Sequence, residues 1–367
     1  MQIDHVRFCV EDAKAISRWF TSRLGFRPVA SGVWQGCQVE IVAAGTVWFV
    51  VCAPVTSTSA AAQFLRRYTA GVGDVVFRVP NVEEAIAQAT ANGARLVHPV
   101  QVEQQPHGRL KWAAIAAWGS LTHTLVERQG QTTLLPHMPP LQADCGSLEQ
   151  PFPVAAAIQA IDHVVLNVGP GELTAAVRWY QRVFGFQPDQ GFVIQTEYSA
   201  LHSQVMRHPS GKVQLPINEP ASPNSQIQEF LNTHRGPGIQ HIALHTPNLL
   251  SAIAQFRAAG LPLIAVPSHY YEQLRDRPAC PVTPAMLQAL ETQQLLMDWQ
   301  SDPNTGVLLQ TFTQPLFQQP TFFLELIERQ THPAATEPLL AQGFGEGNFR
   351  ALFEAIEQAQ RQRGSLA

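Results

Sequence analysis

The sequence predicts an α+β protein of two similar halves. Each half is built from paired βαβββ units that form an open, barrel-like sheet, and a further helix ends the chain. Three internal matches predict this. IDHV at 3–6 and WFTSRLGFRP at 19–28 recur as IDHV at 161–164 and WYQRVFGFQP at 179–188. The run 74-DVVFRVPNVEEAIAQATANGARLV-97 aligns without a gap on 241-HIALHTPNLLSAIAQFRAAGLPLI-264. Finally, 123-HTLVERQ-129 aligns on 324-LELIERQ-330. Three matches in the same order in both halves of the chain mean duplication.

The elements follow in order. Residues 3-IDHVRFCV-10 alternate as a strand does. Residues 11–26 carry Ala15, Trp19 and Phe20 at helical spacing, and Gly25 is placed to stop that helix. The runs 33–44 and 46–53 are β-rich. In the gap-free pair, Pro-Asn precedes each helix, with Asn81 or Asn248 as N-cap. Gly93 or Gly260 closes the helix, and an apolar strand follows. The helix over 172–186 sets Leu173, Val177, Tyr180 and Phe184 on one face. Residues 343–363 read as a Gly-rich turn and an amphipathic helix, with Leu352, Phe353 and Ile356 docking on the body. Between the halves, Pro136, Pro139, Pro140, Pro151, Pro153 and Gly146 mark a linker. The expected division is a first domain at 1–130, a linker at 131–158 and a second domain at 159–367.

Composition narrows the function. The chain has 367 residues, 45% of them apolar, and a net charge of −4 with both signs scattered. No basic run or stripe suggests nucleic acid, and no apolar run approaches a membrane span. The five cysteines (Cys9, Cys37, Cys52, Cys145, Cys280) are far apart and form no CxxC pair. Neither a disulfide scaffold nor a zinc-finger site is supported. The opening MQIDHVRFCV reads as a strand and not as a signal peptide, so a cytoplasmic setting is expected. No GxGxxG fingerprint or P-loop is present.

One residue stands out in 321-TFFLELIERQ-330. Glu325 is a carboxylate in an apolar strand, where burial is costly without a cationic partner or a metal. Two strand-like segments offer partners, His163 and His241. Two imidazoles and one carboxylate on one face of a metal leave the other face open, the donor set of non-haem Fe(II) oxygenases. The aligned residues of the first half are His5, Asp74 and Thr124, so the fold itself does not require this set. Other readings remain open here. A lone strand histidine is usually a core residue. Glu325 could pair with Arg329, and zinc or Mn(II) also accept such donors. His245 has the parity of His241 and reads as core or an outer partner. His202, His208, His234 and His269 read as surface or loop residues.

The second half resembles the 4-hydroxyphenylpyruvate dioxygenase family, part of the vicinal-oxygen-chelate (glyoxalase, bleomycin-resistance and dioxygenase) superfamily. The resemblance lies in IDHVVLNV (161–168), WYQRVFGFQ (179–187), QLPINEP (214–220), SQIQEFL (225–231), GPGIQHIAL (236–244), YYEQLRDR (270–277), LLQTFTQPL (308–316), PTFFLELIERQ (320–330) and GFGEGNFRALFEAIE (343–357). These occur in the family's order and nearly span the second half; the first half matches more weakly. The resemblance implies Fe(II) on His163, His241 and Glu325. It implies a substrate pocket with the polar residues Ser203, Asn218, Gln226, Gln240 and Gln310 and the aromatic walls Phe312, Phe323, Phe344 and Phe349. Gln240 has the opposite strand parity to His241, so its place rests on the resemblance. The C-terminal helix would act as a gate. The implied reaction converts 4-hydroxyphenylpyruvate and O2 to homogentisate and CO2, with no organic cofactor, in tyrosine catabolism or prenylquinone (tocopherol-type) synthesis. Homo-oligomers associating through a metal-free first half are also implied. The alternatives are 4-hydroxymandelate synthase, an extradiol dioxygenase, a glyoxalase-like isomerase and a non-catalytic binding protein of the same fold.

Overall fold

A computed structural model describes residues 1–138, 157–277, 280–299, 306–331 and 340–364. The linker residues Pro139, Pro140, Gly146, Pro151 and Pro153, and Cys145, lie outside them. The first half runs β1 (Gln2–Cys9), α1 (Ala13–Leu24), β2 (Arg27–Trp34), β3 (Cys37–Ala44), β4 (Val47–Pro54), α2 (Ala60–Arg67), β5 (Gly71–Arg78), α3 (Val82–Ala91), β6 (Leu96–Gln105), β7 (Gly108–Ala116) and β8 (Thr122–Gly130). The second half repeats this as β9 (Ala160–Asn167), α4 (Leu173–Phe184), β10 (Gln187–Gln195), β11 (Ala200–Arg207), β12 (Gln214–Pro220), α5 (Gln226–His234), β13 (Gly238–His245) and α6 (Leu249–Ala258). Two inserted helices, α7 (Ser268–Asp276) and α8 (Pro284–Thr292), then precede β14 (Leu296–Trp299), β15 (Val307–Phe312), β16 (Phe323–Arg329) and α9 (Glu346–Arg363).

Each half forms one eight-stranded sheet, and the two orders correspond strand for strand: β2-β3-β4-β1-β5-β8-β7-β6 and β10-β11-β12-β9-β13-β16-β15-β14. In each, the two βαβββ units meet antiparallel at their first strands (β1 with β5, β9 with β13). Parallel pairs flank that seam, with β4 and β8 in one half and β12 and β16 in the other. The central strands are therefore covered on both sides and can carry buried chemistry.

Local signals explain the helix ends. Asn81 and Asn248 cap α3 and α6 by accepting the backbone N–H of Glu84 and Ser251. Gly25 stops α1 in the left-handed region, at φ +68°. Two helical faces differ from expectation. The buried face of α1 is Ala13, Ser17, Phe20 and Leu24, with Trp19 only half-buried. On α4 it is Ala176, Tyr180 and Val183, while Leu173, Val177 and Phe184 are half-buried. Each buried face includes small residues (Ala13 and Ser17 on α1, Ala176 on α4), which apolar periodicity alone does not reveal. His234 also departs from a surface position: it is buried in the last turn of α5.

The core runs across the junction of the halves. Phe8 packs edge-on to Phe322 at 5.2 Å, and Phe77 to Phe184 at 5.7 Å. Among the described residues, no helix is long and apolar enough to cross a membrane.

Candidate metal centre and pocket

Three neighbouring strands of the second sheet, β9, β13 and β16, bring His163, His241 and Glu325 together. Ala243 on the middle strand lies opposite both His163 and Glu325, two residues from His241. One ligand atom from each of the three residues lies within 4.8 Å of the other two. Nε2 of His163 is 3.3 Å from Glu325 Oε2, and Nε2 of His241 is 3.5 Å from it. All three side chains are buried. No other His, Cys, Asp or Glu cluster of this kind occurs among the described residues.

The outer bonds aim these donors. His163 Nδ1 bonds Asp162 Oδ1 at 2.8 Å, and His241 Nδ1 bonds Gln240 Oε1 at 3.1 Å. With Nδ1 holding the hydrogen against an acceptor, each Nε2 turns a lone pair inward. Gln310 Nε2 donates to Glu325 Oε1 at 2.8 Å, leaving Oε2 for the centre. Two bulges make this possible. The β9–β13 register slips between Ile239 and His241, which turns Gln240 into the cavity that His241 lines. It slips again at Asp162, which brings that carboxylate beside His163. An extra residue in one strand re-aims side chains in this way, so strict alternation misplaces Gln240.

Electrostatics suit a cation. Burial opposes charge on His163, but Glu325 and then Asp162 outweigh it and push the imidazole up to about 9. Burial likewise opposes ionisation of Glu325, and the two imidazoles, His163 foremost, hold it well below the usual carboxylate range. His241 is pulled down, chiefly by burial. A buried carboxylate that recruits a proton onto its neighbour is a place where a cation can replace that proton.

The adjoining cavity is small, about 40 Å³. Ser203, Asn218, Gln226, Gln240, Phe323, Phe344 and Phe349 line it, with His163 and His241 at its base. Gln310 and Phe312 stand behind that lining. Gln310 bonds Glu325, and Phe312 packs edge-on to Phe323 and His241, at 6.2 and 6.4 Å. Phe323 stacks on His241, with ring centroids 4.7 Å apart. Leu352 and Phe353 of α9 complete the roof. On its far side a cavity of about 380 Å³ shares Gln226, Gln240 and Phe323 with the pocket.

The family model for the glyoxalase/bleomycin resistance protein/dioxygenase superfamily matches residues 160–277. The 4-hydroxyphenylpyruvate dioxygenase of Caenorhabditis elegans is 35% identical over 99% of this chain and 93% of its own length. That of Danio rerio is 34% identical over 100% and 92%. This chain belongs to the 4-hydroxyphenylpyruvate dioxygenase family. Among solved structures, a mutant of 4-hydroxymandelate synthase from Streptomyces coelicolor superposes with a TM-score of 0.80 at 22% identity, covering 98% of each chain. At that identity it bears on the fold alone. Membership in the 4-hydroxyphenylpyruvate dioxygenase family implies a metal cofactor, and the donor set fits one. Three convergent donors have their outer atoms already bonded, and their inner atoms face one another.

The first half shows what the same frame does without such a site. Asp74 and Thr124 occupy the positions of His241 and Glu325, and Arg7 replaces Val165. Arg7 Nη2 donates to Asp74 Oδ2 at 2.5 Å and to Thr124 Oγ1 at 3.1 Å. The Thr124 hydroxyl donates to Asp74 at 2.6 Å. A guanidinium fills the place of a cation. His5 keeps its bond to Asp4, at 2.8 Å, but its Nε2 has no partner among the described residues. Sequence reasoning overlooked Asp162 and offered Arg329 to Glu325, whereas Arg329 pairs with Asp162. The signal was present, since Asp-His and Glu-Arg recur in both halves as Asp4-His5 with Glu127-Arg128 and Asp162-His163 with Glu328-Arg329.

Proposed function

We infer that the protein is a 4-hydroxyphenylpyruvate dioxygenase that uses Fe(II) on His163, His241 and Glu325. It converts 4-hydroxyphenylpyruvate and O2 to homogentisate and CO2 by decarboxylation, ring hydroxylation and side-chain migration. The observation that carries this reading is the buried, convergent triad under aromatic walls, in a chain similar to such enzymes over nearly its whole length. Two histidines and one carboxylate are the donors non-haem oxygenases use, with positions left open for substrate and O2. When bound, the metal supplies Lewis-acid chelation of the α-keto acid and activation of dioxygen.

The chain's own residues do the rest. Asp162 and Gln240 hold the two imidazole rings in one tautomer and orientation. Phe323, Phe344 and Phe349 offer apolar faces to the aromatic ring. Gln226 lines the cavity, and its buried Oε1 has no hydrogen-bond partner among the described residues. An unmet acceptor there suits the substrate's phenolic hydroxyl, since leaving it unpaired is costly. Ser203 and Asn218, paired on β11 and β12, line the same cavity. The α9 roof excludes water from the reacting atoms. Residues 159–367 then form the catalytic domain, and 1–130 a metal-free scaffold available for homo-oligomer contacts. The free cysteines Cys9, Cys37, Cys52 and Cys280 suit a reducing, cytoplasmic setting.

An oxygen electrode with Fe(II) and 4-hydroxyphenylpyruvate, followed by chromatography, tests this. The expected result is stoichiometric O2 uptake and homogentisate. Hydroxymandelate in its place would assign the protein to 4-hydroxymandelate synthase chemistry, and no uptake would overturn the enzyme reading.

A further inference from the structure

Arg329 takes no part in the centre itself, yet it stands between the centre and the last helix. Asp162, the outer partner of His163, is gripped by the Nε–Nη2 edge of its guanidinium. Nε donates to Oδ2 at 2.7 Å and Nη2 to Oδ1 at 2.8 Å. The remaining Nη1 donates away from the site, to Ala341 O at 3.0 Å and Gly343 O at 2.8 Å. Those carbonyls belong to the turn that leads into α9, where Gly343 and Gly345 adopt φ of +78° and +76°. Between the two glycines, Phe344 returns to lie edge-on to the His163 ring at 5.0 Å. One guanidinium therefore holds both the carboxylate that aims His163 and the hinge of the helix that seals the pocket. A lysine cannot reproduce this, because it lacks the planar fork.

The first half contains the same frame without the helix. Arg128 grips Asp4 with Nε and Nη2 at 2.8 and 2.7 Å, and Asp4 holds His5. Its outward bonds reach Thr133 O and Leu134 O, at 2.6 and 2.8 Å. The fork itself therefore belongs to the fold. What the second half adds is a hinge on one side and a convergent donor set on the other.

We propose that Arg329 is a positioning residue that couples the seating of α9 to the orientation of His163, so that the pocket closes most firmly when the centre is loaded. This rests on the reading of His163 as a ligand. Coupling of this kind is reciprocal: if metal tightens the hinge, loosening the hinge weakens metal.

The full-length protein is titrated with Co2+, followed by its visible absorption. In parallel, chymotrypsin cleavage after Phe344 is timed with and without Co2+. Wild type should bind Co2+ and be cleaved more slowly in its presence. R329K should bind Co2+ about tenfold more weakly, the usual scale of an outer-partner change, and lose most of the Co2+ protection. G343A should do the same from the hinge side, since it strains a left-handed residue without touching Asp162, and it keeps the test alive if R329K does not fold. R128K should change neither quantity. The proposal fails if Co2+ binds wild type but leaves cleavage unchanged, if R329K and G343A keep wild-type affinity, or if R128K matches R329K. If wild type binds no more Co2+ than H163A, the ligand reading itself falls, and the coupling with it.

Discussion

At Glu325 the decisive quantity is charge. Glu325→Gln keeps the size of the side chain but removes the anion that balances a cation between two imidazoles. Metal content after gel filtration should fall by more than the about 10–100-fold typical of outer-partner changes, and O2 uptake should vanish with it. A variant that retains metal would argue that the histidines alone suffice. Gly345 poses a steric question. A Cβ there would sit 2.0 Å from Gln310 Oε1, at a backbone φ of +76°. Gly345→Ala should therefore dislodge the side chain that holds Glu325 Oε1, lowering kcat while costing about 1–3 kcal/mol in left-handed strain. Steady-state kinetics and a thermal melt check the two parts separately.

At the scale of elements, α9 is the terminal helix that roofs the pocket. Its anchor is Phe353, buried with Leu201, Ile227, Phe230 and Leu231. Phe→Ala in a core costs about 3–5 kcal/mol, but a terminal helix can release without unfolding either sheet. Phe353→Ala should raise hydrogen exchange through α9 and leave the main melting transition nearly in place. Much at this scale was legible in the sequence. The duplication set β9, β13 and β16 against β1, β5 and β8, and so separated what the fold needs from the three residues, His163, His241 and Glu325, that converge in one half only. Gln240 was not legible from alternation, because a bulge is a property of strand pairing and leaves no mark in the periodicity. His234 was misread for a related reason. It belongs to a polar-looking helix end, and only the docking of the halves buries it.

Across the whole molecule, the halves meet through two buried histidines. His123 Nδ1 faces the Val75 carbonyl at 3.0 Å and so carries the hydrogen, leaving Nε2 to accept from the Tyr180 hydroxyl of the other half at 3.0 Å. His234 stacks on Tyr68 of the first half and lies within 3.3 Å of the Thr69 hydroxyl and 3.2 Å of that of Ser120. Burial pulls both imidazoles down, His234 to about 4 with help from Arg235. A depressed histidine binds fewer protons folded than unfolded. Its contribution to stability is complete above the unfolded value of about 6.5 and is lost as pH falls towards 4. Thermal melts of the metal-free protein should thus fall steeply between pH 6.5 and 4. His234→Phe, which keeps the stacking, should flatten that slope; an unchanged slope would place the acid sensitivity elsewhere.

The 40 Å³ cavity under α9 carries a kinetic consequence. Pockets that hold small ligands are typically about 300–1,000 Å³, so an aromatic keto acid can enter only after the lining, the α9 roof included, moves apart. Each ligand then binds a minor, opened population, and its apparent affinity is scaled by that fraction. In stopped-flow mixing, the observed association rate should climb with ligand concentration and then level off at the opening rate, the same plateau for ligands of very different strength. A binding rate that keeps rising linearly would mean the pocket is entered without waiting for the helix.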